Sequence, residues 1–218
     1  MTPRHAHLAA RVLVLLVVVL LIAAIGHPRV AQATCGGVYA ETVKPPHRGV
    51  LPPLAIGDST LILSVPTLKR EGISANAQGC RQYADGLVML NTLRRQGRLA
   101  GVVIVALGAN GPVTESEVTT ALAILGPRRI LVMVTHWRPG HLGGRDTALI
   151  RREPRRHPGR IVVLDWIQYS GGHRAWFQPD GLHLTFPGAA AYARFLGRAI
   201  PLTPPPATQA RPSQPPSR

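Results

Sequence analysis

Val102-Val103-Ile104-Val105-Ala106-Leu107-Gly108-Ala109-Asn110 is the stretch whose reading decides the fold. Six apolar residues follow one another before the chain breaks at a glycine. Such a run suits a strand covered on both faces, as in a parallel sheet, whereas a strand with one wet face alternates polar and apolar positions. Ile130–Val134 and Ile161–Leu164 repeat the pattern, and weaker apolar runs stand at 54–56 and at 73–75, the latter interrupted by Ser74. Helix-compatible segments separate the runs at 60–69, 82–96, 115–125, 147–152 and 188–199, with Pro187 suited to the first turn of the last. The alternation predicts an α/β fold, a single doubly wound domain with a mainly parallel five-stranded sheet flanked by helices. Its ligand site should lie at the carboxyl ends of the strands.

The residues at those ends are chemically suggestive. Ser59 follows the first run, Gly79 the second and Asn110 the third, while Asp180-Gly181-Leu182-His183 follows the fifth after a loop. A serine hydroxyl is a poor nucleophile at neutral pH, so it needs a histidine to take its proton, a carboxylate to orient that histidine, and donors for the developing oxyanion. Each residue also has a plain structural use. Asp58, Ser59 and Thr60 are good helix N-caps, Asn110-Gly111 and Asp180-Gly181 are turn signals, and Gly79 can serve a positive φ. What points to chemistry is the set, in order and at strand ends.

That set resembles a known family. Gly57-Asp58-Ser59, Gly79, Gly108-x-Asn110 and Asp180-x-x-His183 look like the four-block signature of the SGNH (GDSL-like) hydrolases. More narrowly, Asn76-Ala77-Gln78-Gly79-Cys80-Arg81-Gln82, Leu107-Gly108-Ala109-Asn110-Gly111, Val163-Leu164-Asp165-Trp166 and Asp180-Gly181-Leu182-His183-Leu184 are similar to the extracytoplasmic SGNH domain of bacterial cell-wall O-acyltransferases. The resemblance covers about residues 50 to 200 and implies a flavodoxin-like sheet. It implies a triad of Ser59, Asp180 and His183, and an oxyanion hole of the Ser59 and Gly79 N–H groups with the Asn110 amide. Asp58 would support the turn. The expected activity is that of a serine esterase or acyltransferase on O-acyl groups, in the first place O-acetyl groups of a cell-envelope glycan, with no cofactor. A membrane protein is a possible acyl donor for transfer, whereas deacylation needs none. The chain is expected to act as a monomer. A catalytically inactive glycan-binding module is the alternative from a different class.

The remaining features bound this reading. The 218 residues suffice for one substantial core. The formal charge of +15 comes almost wholly from arginine, since Lys44 and Lys69 are the sole lysines. It fits either a GC-rich genome or a basic face, and no nucleic-acid motif accompanies it, so no nucleic acid is expected as partner. Arg4 and Arg11 precede an apolar run from 12 to 25, and Ala31-Gln32-Ala33 has the form of a cleavage site, so 1–33 reads as a signal peptide or an uncleaved N-terminal anchor. Either implies export, to the medium or to the cell envelope. Residues 34–53 read as a wrapping arm, 54–200 as the domain and 201–218 as a Pro-rich disordered tail. Export favours a Cys35–Cys80 disulfide. No metal site is expected, because His136 and His141 lack a matching ligand cluster. Trp176 and Phe177 are candidates to wall the site or stack on a sugar. Residues 136–144 and the basic run 151–156 are candidates for a rim against anionic polymer, or a solvated face.

Overall fold

A computed structural model describes residues 35–47 and 49–202; the expected signal segment and all but the first two residues of the expected tail fall outside the described residues. Its central sheet has six strands, β1 (Val38–Glu41), β2 (Leu54–Gly57), β3 (Ser74–Gln78), β4 (Val102–Ala106), β5 (Ile130–Val134) and β8 (Ile161–Leu164), in the order β1-β3-β2-β4-β5-β8. The five expected strands are present and pair in parallel. The sixth, β1, lies in the segment read as a wrapping arm and adds to the edge antiparallel to β3. Four residues flanked by Gly and Pro carry no readable period, so the sheet partner rather than the local sequence makes this strand. A disulfide between Cys35 and Cys80, with Cα atoms 5.0 Å apart, pins the chain just before β1 to the turn just after β3. By closing a loop of 45 residues it contributes on the order of 2 to 4 kcal/mol. Trp137–Arg138 (β6) and Leu142–Gly143 (β7) form a separate small hairpin.

The helices are α1 (Val65–Arg70, entered through a 3-10 turn at Ser59–Ser64), α2 (Tyr83–Arg95), α3 (Glu115–Leu125), α4 (Thr147–Arg156), α5 (Trp166–Ser170) and α6 (Phe186–Leu196). The continuous apolar runs are explained by two-sided burial. Along β4, Val102, Ile104 and Ala106 join one core with Leu68, Tyr192 and Leu196, while Val103 and Val105 join the other with Leu90, Val118 and Leu125. α3 shows how local sequence fixes an end. Thr114 and Glu117 form a reciprocal capping box at its start, and Gly126 turns the chain at φ +67° at its close.

Much of the arginine is structural. Arg94 donates to the Ala123 and Ile124 carbonyls, Arg129 to Leu125 and Arg160 to Gly126, so guanidinium groups meet the negative end of α3. Within the run 151–156, Arg151 pairs with Asp165 at 2.6 Å, while Arg152 and Arg156 pair with Glu115 and the buried Glu153. That run is largely neutralised by its own neighbours.

β4 is the strand on which the fold rests, and Ile104 is fully buried within it. Ile104→Ala should lower unfolding free energy by about 2 to 5 kcal/mol, measured by urea titration; a loss under about 1 kcal/mol would contradict the two-sided packing.

Candidate active site

The sheet order reverses between β2 and β4, which pair in parallel with Gly57 opposite Ala106. A doubly wound sheet opens its crevice at such a switch point. The turns that leave these two strands carry Ser59 and Asn110. Gly57 permits the first turn, since a Cβ there would lie 2.6 Å from the Leu61 side chain. Asp58, only 1 % exposed, then caps it, accepting the Thr60 N–H at 3.0 Å, the Thr60 hydroxyl at 2.7 Å and, from the β4 turn, the Ala109 N–H at 3.3 Å. Burial pushes the Asp58 carboxyl above its ordinary range, and these donors together with His136 only partly offset it. One side chain thus joins the Ser59 and Asn110 turns. The first bond inside the Ser59 turn runs from the Leu61 N–H to the Asp58 carbonyl. The Ser59 N–H therefore stands among the donors that a helix start leaves over.

The third element is a tied loop before α6. Asp180 Oδ1 accepts the N–H groups of Leu182 at 2.9 Å and His183 at 3.0 Å, while Oδ2 lies 2.5 Å from His183 Nδ1. Gly181 makes the turn at φ +66°, where a Cβ would also approach the His141 N–H at 2.7 Å. The Gln178 N–H to His183 carbonyl bond, 2.7 Å, closes the loop at its base. Because the carboxylate can only accept, Nδ1 of the neutral ring carries the proton and Nε2 offers its lone pair. Nε2 lies 3.0 Å from Ser59 Oγ. Burial of Asp180 works against its charge, but the hydrogen bonds from the His183 ring and the two N–H groups outweigh this and hold it below the ordinary carboxylate range. Ser59, His183 and Asp180 form one hydrogen-bonded chain that can remove a proton from the hydroxyl and hold the resulting imidazolium.

The other expected residues are placed differently. Asn110 is exposed on the β4 turn and donates one amide N–H to the Arg81 carbonyl at 3.2 Å, leaving its second N–H over. The Gly79 N–H donates to the Gly37 carbonyl at 3.2 Å, in line with the β1 edge. Phe177 is 7 % exposed and packs edge-on against Trp137 and His141, so it serves the core. Trp176 is half-buried and stacks on His173 at 3.8 Å and on Trp166 at 5.8 Å. The aromatic ring left in solvent beside this loop is Phe186, 80 % exposed.

Two positions gain roles that sequence reasoning did not give them. Buried Arg81 donates to the Gly57 and Asn76 carbonyls and to the Asn76 and Gln78 side chains, fastening the ends of β2 and β3. His136 sits beneath the β4 turn, 3.2 Å from Asp146. Neither role follows from a periodic pattern: Arg81 folds back over the turn after β3 onto Asn76 and Gln78 and also reaches Gly57, while His136 meets Asp146 and Gly108 from separate segments. Among the described residues no group of His, Cys, Asp and Glu could hold a metal ion.

No protein-family model matches the chain. The C-terminal catalytic domain of peptidoglycan O-acetyltransferase A from Streptococcus pneumoniae, solved with a methylsulfonyl adduct, superposes with a TM-score of 0.60 at 20 % identity, over 69 % of this chain and 93 % of that one. A proposed SGNH hydrolase from Slackia heliotrinireducens superposes with a TM-score of 0.51 at 14 % identity, over 70 % of this chain and all of that one. The fold is that of the SGNH hydrolases. In sequence the chain is 30 % identical over 145 residues to peptidoglycan O-acetyltransferase OatA of Listeria monocytogenes, which is 66 % of this chain and 23 % of that protein. Its homologues are O-acetyltransferases, and it spans less than a quarter of the length of this one.

The lowered Asp180 value sets a direction for pH. Its contribution is fully present above the ordinary carboxylate value and is lost as pH falls through the lower folded value. Urea unfolding from pH 7 downward should show wild type more stable than Asp180→Asn by a constant margin until about pH 4, then a shrinking one; a margin independent of pH would contradict the charged loop.

Proposed function

We propose that this protein is an exported serine esterase or O-acyltransferase that acts on O-acetyl groups of a cell-wall glycan. The observation that carries the reading is the chain Ser59 Oγ to His183 Nε2 at 3.0 Å and His183 Nδ1 to Asp180 at 2.5 Å, at the switch point of the sheet. Homology to O-acetyltransferases of peptidoglycan supports the acyl group and the glycan. The disulfide supports an oxidising, extracytoplasmic setting.

In this mechanism Ser59 Oγ attacks the acetyl carbonyl carbon as His183 Nε2 takes the hydroxyl proton. The carbonyl π electrons move to oxygen. The oxyanion is met by the Ser59 N–H and the spare Asn110 N–H, and Gly79 contributes only if its bond to Gly37 opens. When the tetrahedral intermediate collapses, the bond to the sugar oxygen breaks and His183 returns the proton to that oxygen, leaving acetyl-Ser59. A second acceptor then attacks the acyl-enzyme, with His183 again as base. Water as acceptor gives acetate, whereas a sugar hydroxyl gives transfer. Asp180 remains ionised throughout and stabilises the imidazolium. Where a membrane protein rather than a glycan ester supplies the acetyl group, the bond to that donor's leaving group breaks in the first half-reaction instead, and the leaving group takes the proton from His183.

Purified protein incubated with an O-acetylated muropeptide and an unacetylated acceptor, followed by mass spectrometry, tests the reading. Loss of acetate or its appearance on the acceptor is expected. With Ser59→Ala the rate should fall by about three to six orders of magnitude while the fold is kept. Wild-type rates in that variant would remove Ser59 from the chemistry.

A further inference from the structure

His136 stands two residues beyond β5 and is 7 % exposed, yet neither ring nitrogen has a well-aligned hydrogen-bond partner among the described residues. Its Nε2 comes within 3.2 Å of Asp146 Oδ1, close enough for an ion pair but off the line of a hydrogen bond. A buried polar pair of this kind is costly, and an apolar pair of the same shape would cost less. Its position suggests what it is for. Gly108 turns at φ +137°, and any Cβ there would enter the His136 ring. A cavity of about 10 Å³ is walled jointly by His136, by Thr60 of the Ser59 turn, and by Leu182 and Leu184 of the His183 loop. The ring therefore lies where the segments bearing Ser59, Asn110 and His183 meet.

Asp146 extends the same arrangement. Its Oδ2 accepts the Val113 N–H at 2.6 Å, and the His136 carbonyl accepts the Gly144 N–H at 3.2 Å, which holds Asp146 close to the ring. The turn from 108 to 113 is thus gripped at two points on either side of Asn110: the Ala109 N–H on Asp58, and the Val113 N–H on Asp146. We infer that His136 and Asp146 are positioning residues, which hold the 108–113 turn so that the Asn110 amide faces the oxygen of the reacting carbonyl. The inference rests on the acyl chemistry proposed for Ser59.

His136→Phe keeps a ring beneath Gly108 and removes the polar interactions of that ring with Asp146 and with the buried Asp58, so it separates positioning from space filling. Asp146→Asn is a second variant of nearly the same shape. With a chromogenic acetyl ester, His136→Phe should lower kcat by about tenfold to a hundredfold with little change in KM, the effect of a misplaced group. Asp146→Asn should shift kcat in the same direction. Combined with Asn110→Ala, neither should lower kcat much below Asn110→Ala alone, because one interaction cannot be lost twice. Hydrogen exchange of the 108–113 amides should quicken in both folded variants. Losses that multiply with Asn110→Ala, or wild-type kcat in folded His136→Phe, would overturn the inference. If Ser59→Ala retained wild-type turnover, the acyl reading would fall, and unchanged exchange at 108–113 would separately overturn the grip on that turn.

Discussion

The hydrogen bond between His183 Nε2 and Ser59 Oγ joins positions 124 residues apart, and the rest of the fold can be read as what makes it permanent. Parallel pairing of β2 with β4 brings two turns to one edge. Asp58 fastens those turns to each other, and Arg81 fastens β2 to β3. The His183 loop is closed by bonds to Asp180 and Gln178, and it is braced from outside by the β6–β7 hairpin, where the Gly140 N–H donates to the Asp180 carbonyl at 2.7 Å. Each clamp is a local bond of modest net worth. Together they replace loop entropy with fixed geometry.

Electrostatics divides the carboxylates by task. Asp58 holds the turn that carries Ser59 and Asp180 holds the loop that carries His183, yet burial drives the first upward while hydrogen bonding holds the second down. The one with the lowered value is the one in contact with the imidazole, where a persistent negative charge is useful. The buried one binds backbone and hydroxyl donors, and its work is to hold the turns. The arginine content follows a similar division. Guanidinium groups at the far end of α3, and beside Glu115, Glu153 and Asp165, are engaged with carbonyls or acids inside the fold. The high formal charge is therefore only partly a statement about partners.

The sequence showed the core strands because two-sided burial leaves an unbroken apolar run, and β4, β5 and β8 each have one. The alternation of runs and helices was enough to place Ser59 and Asn110 at one edge. Asp180 and His183 could be linked in advance because three residues on a glycine turn leave little freedom. What the sequence hid depends on pairing across distance. β1 has no pattern of its own and exists as an edge added to β3, and in that place its first neighbour, Gly37, takes up the Gly79 N–H expected to face the substrate. Phe177, a sequence candidate to wall the site, turns inward, where the bridge between Phe177 and Leu184 sets it against Trp137 and His141. α4 continues to Arg156 through Pro154, beyond the segment legible as helix, since Glu153 anchors its last turn by an ion pair with Arg156 and a 3.4 Å contact with the His157 ring. α5 is five residues long, too short for a period to be seen, and is started by the Asp165 side chain.

The central claim is that Ser59 carries the acyl group between donor and acceptor, and the most direct measurement is to catch it there. Mixing the protein with an excess of acetyl ester, quenching in acid during turnover, and sequencing the modified peptide by mass spectrometry should find one acetyl group, on Ser59. Steady turnover with an unmodified Ser59, or an acetyl group carried on another side chain, would contradict the account.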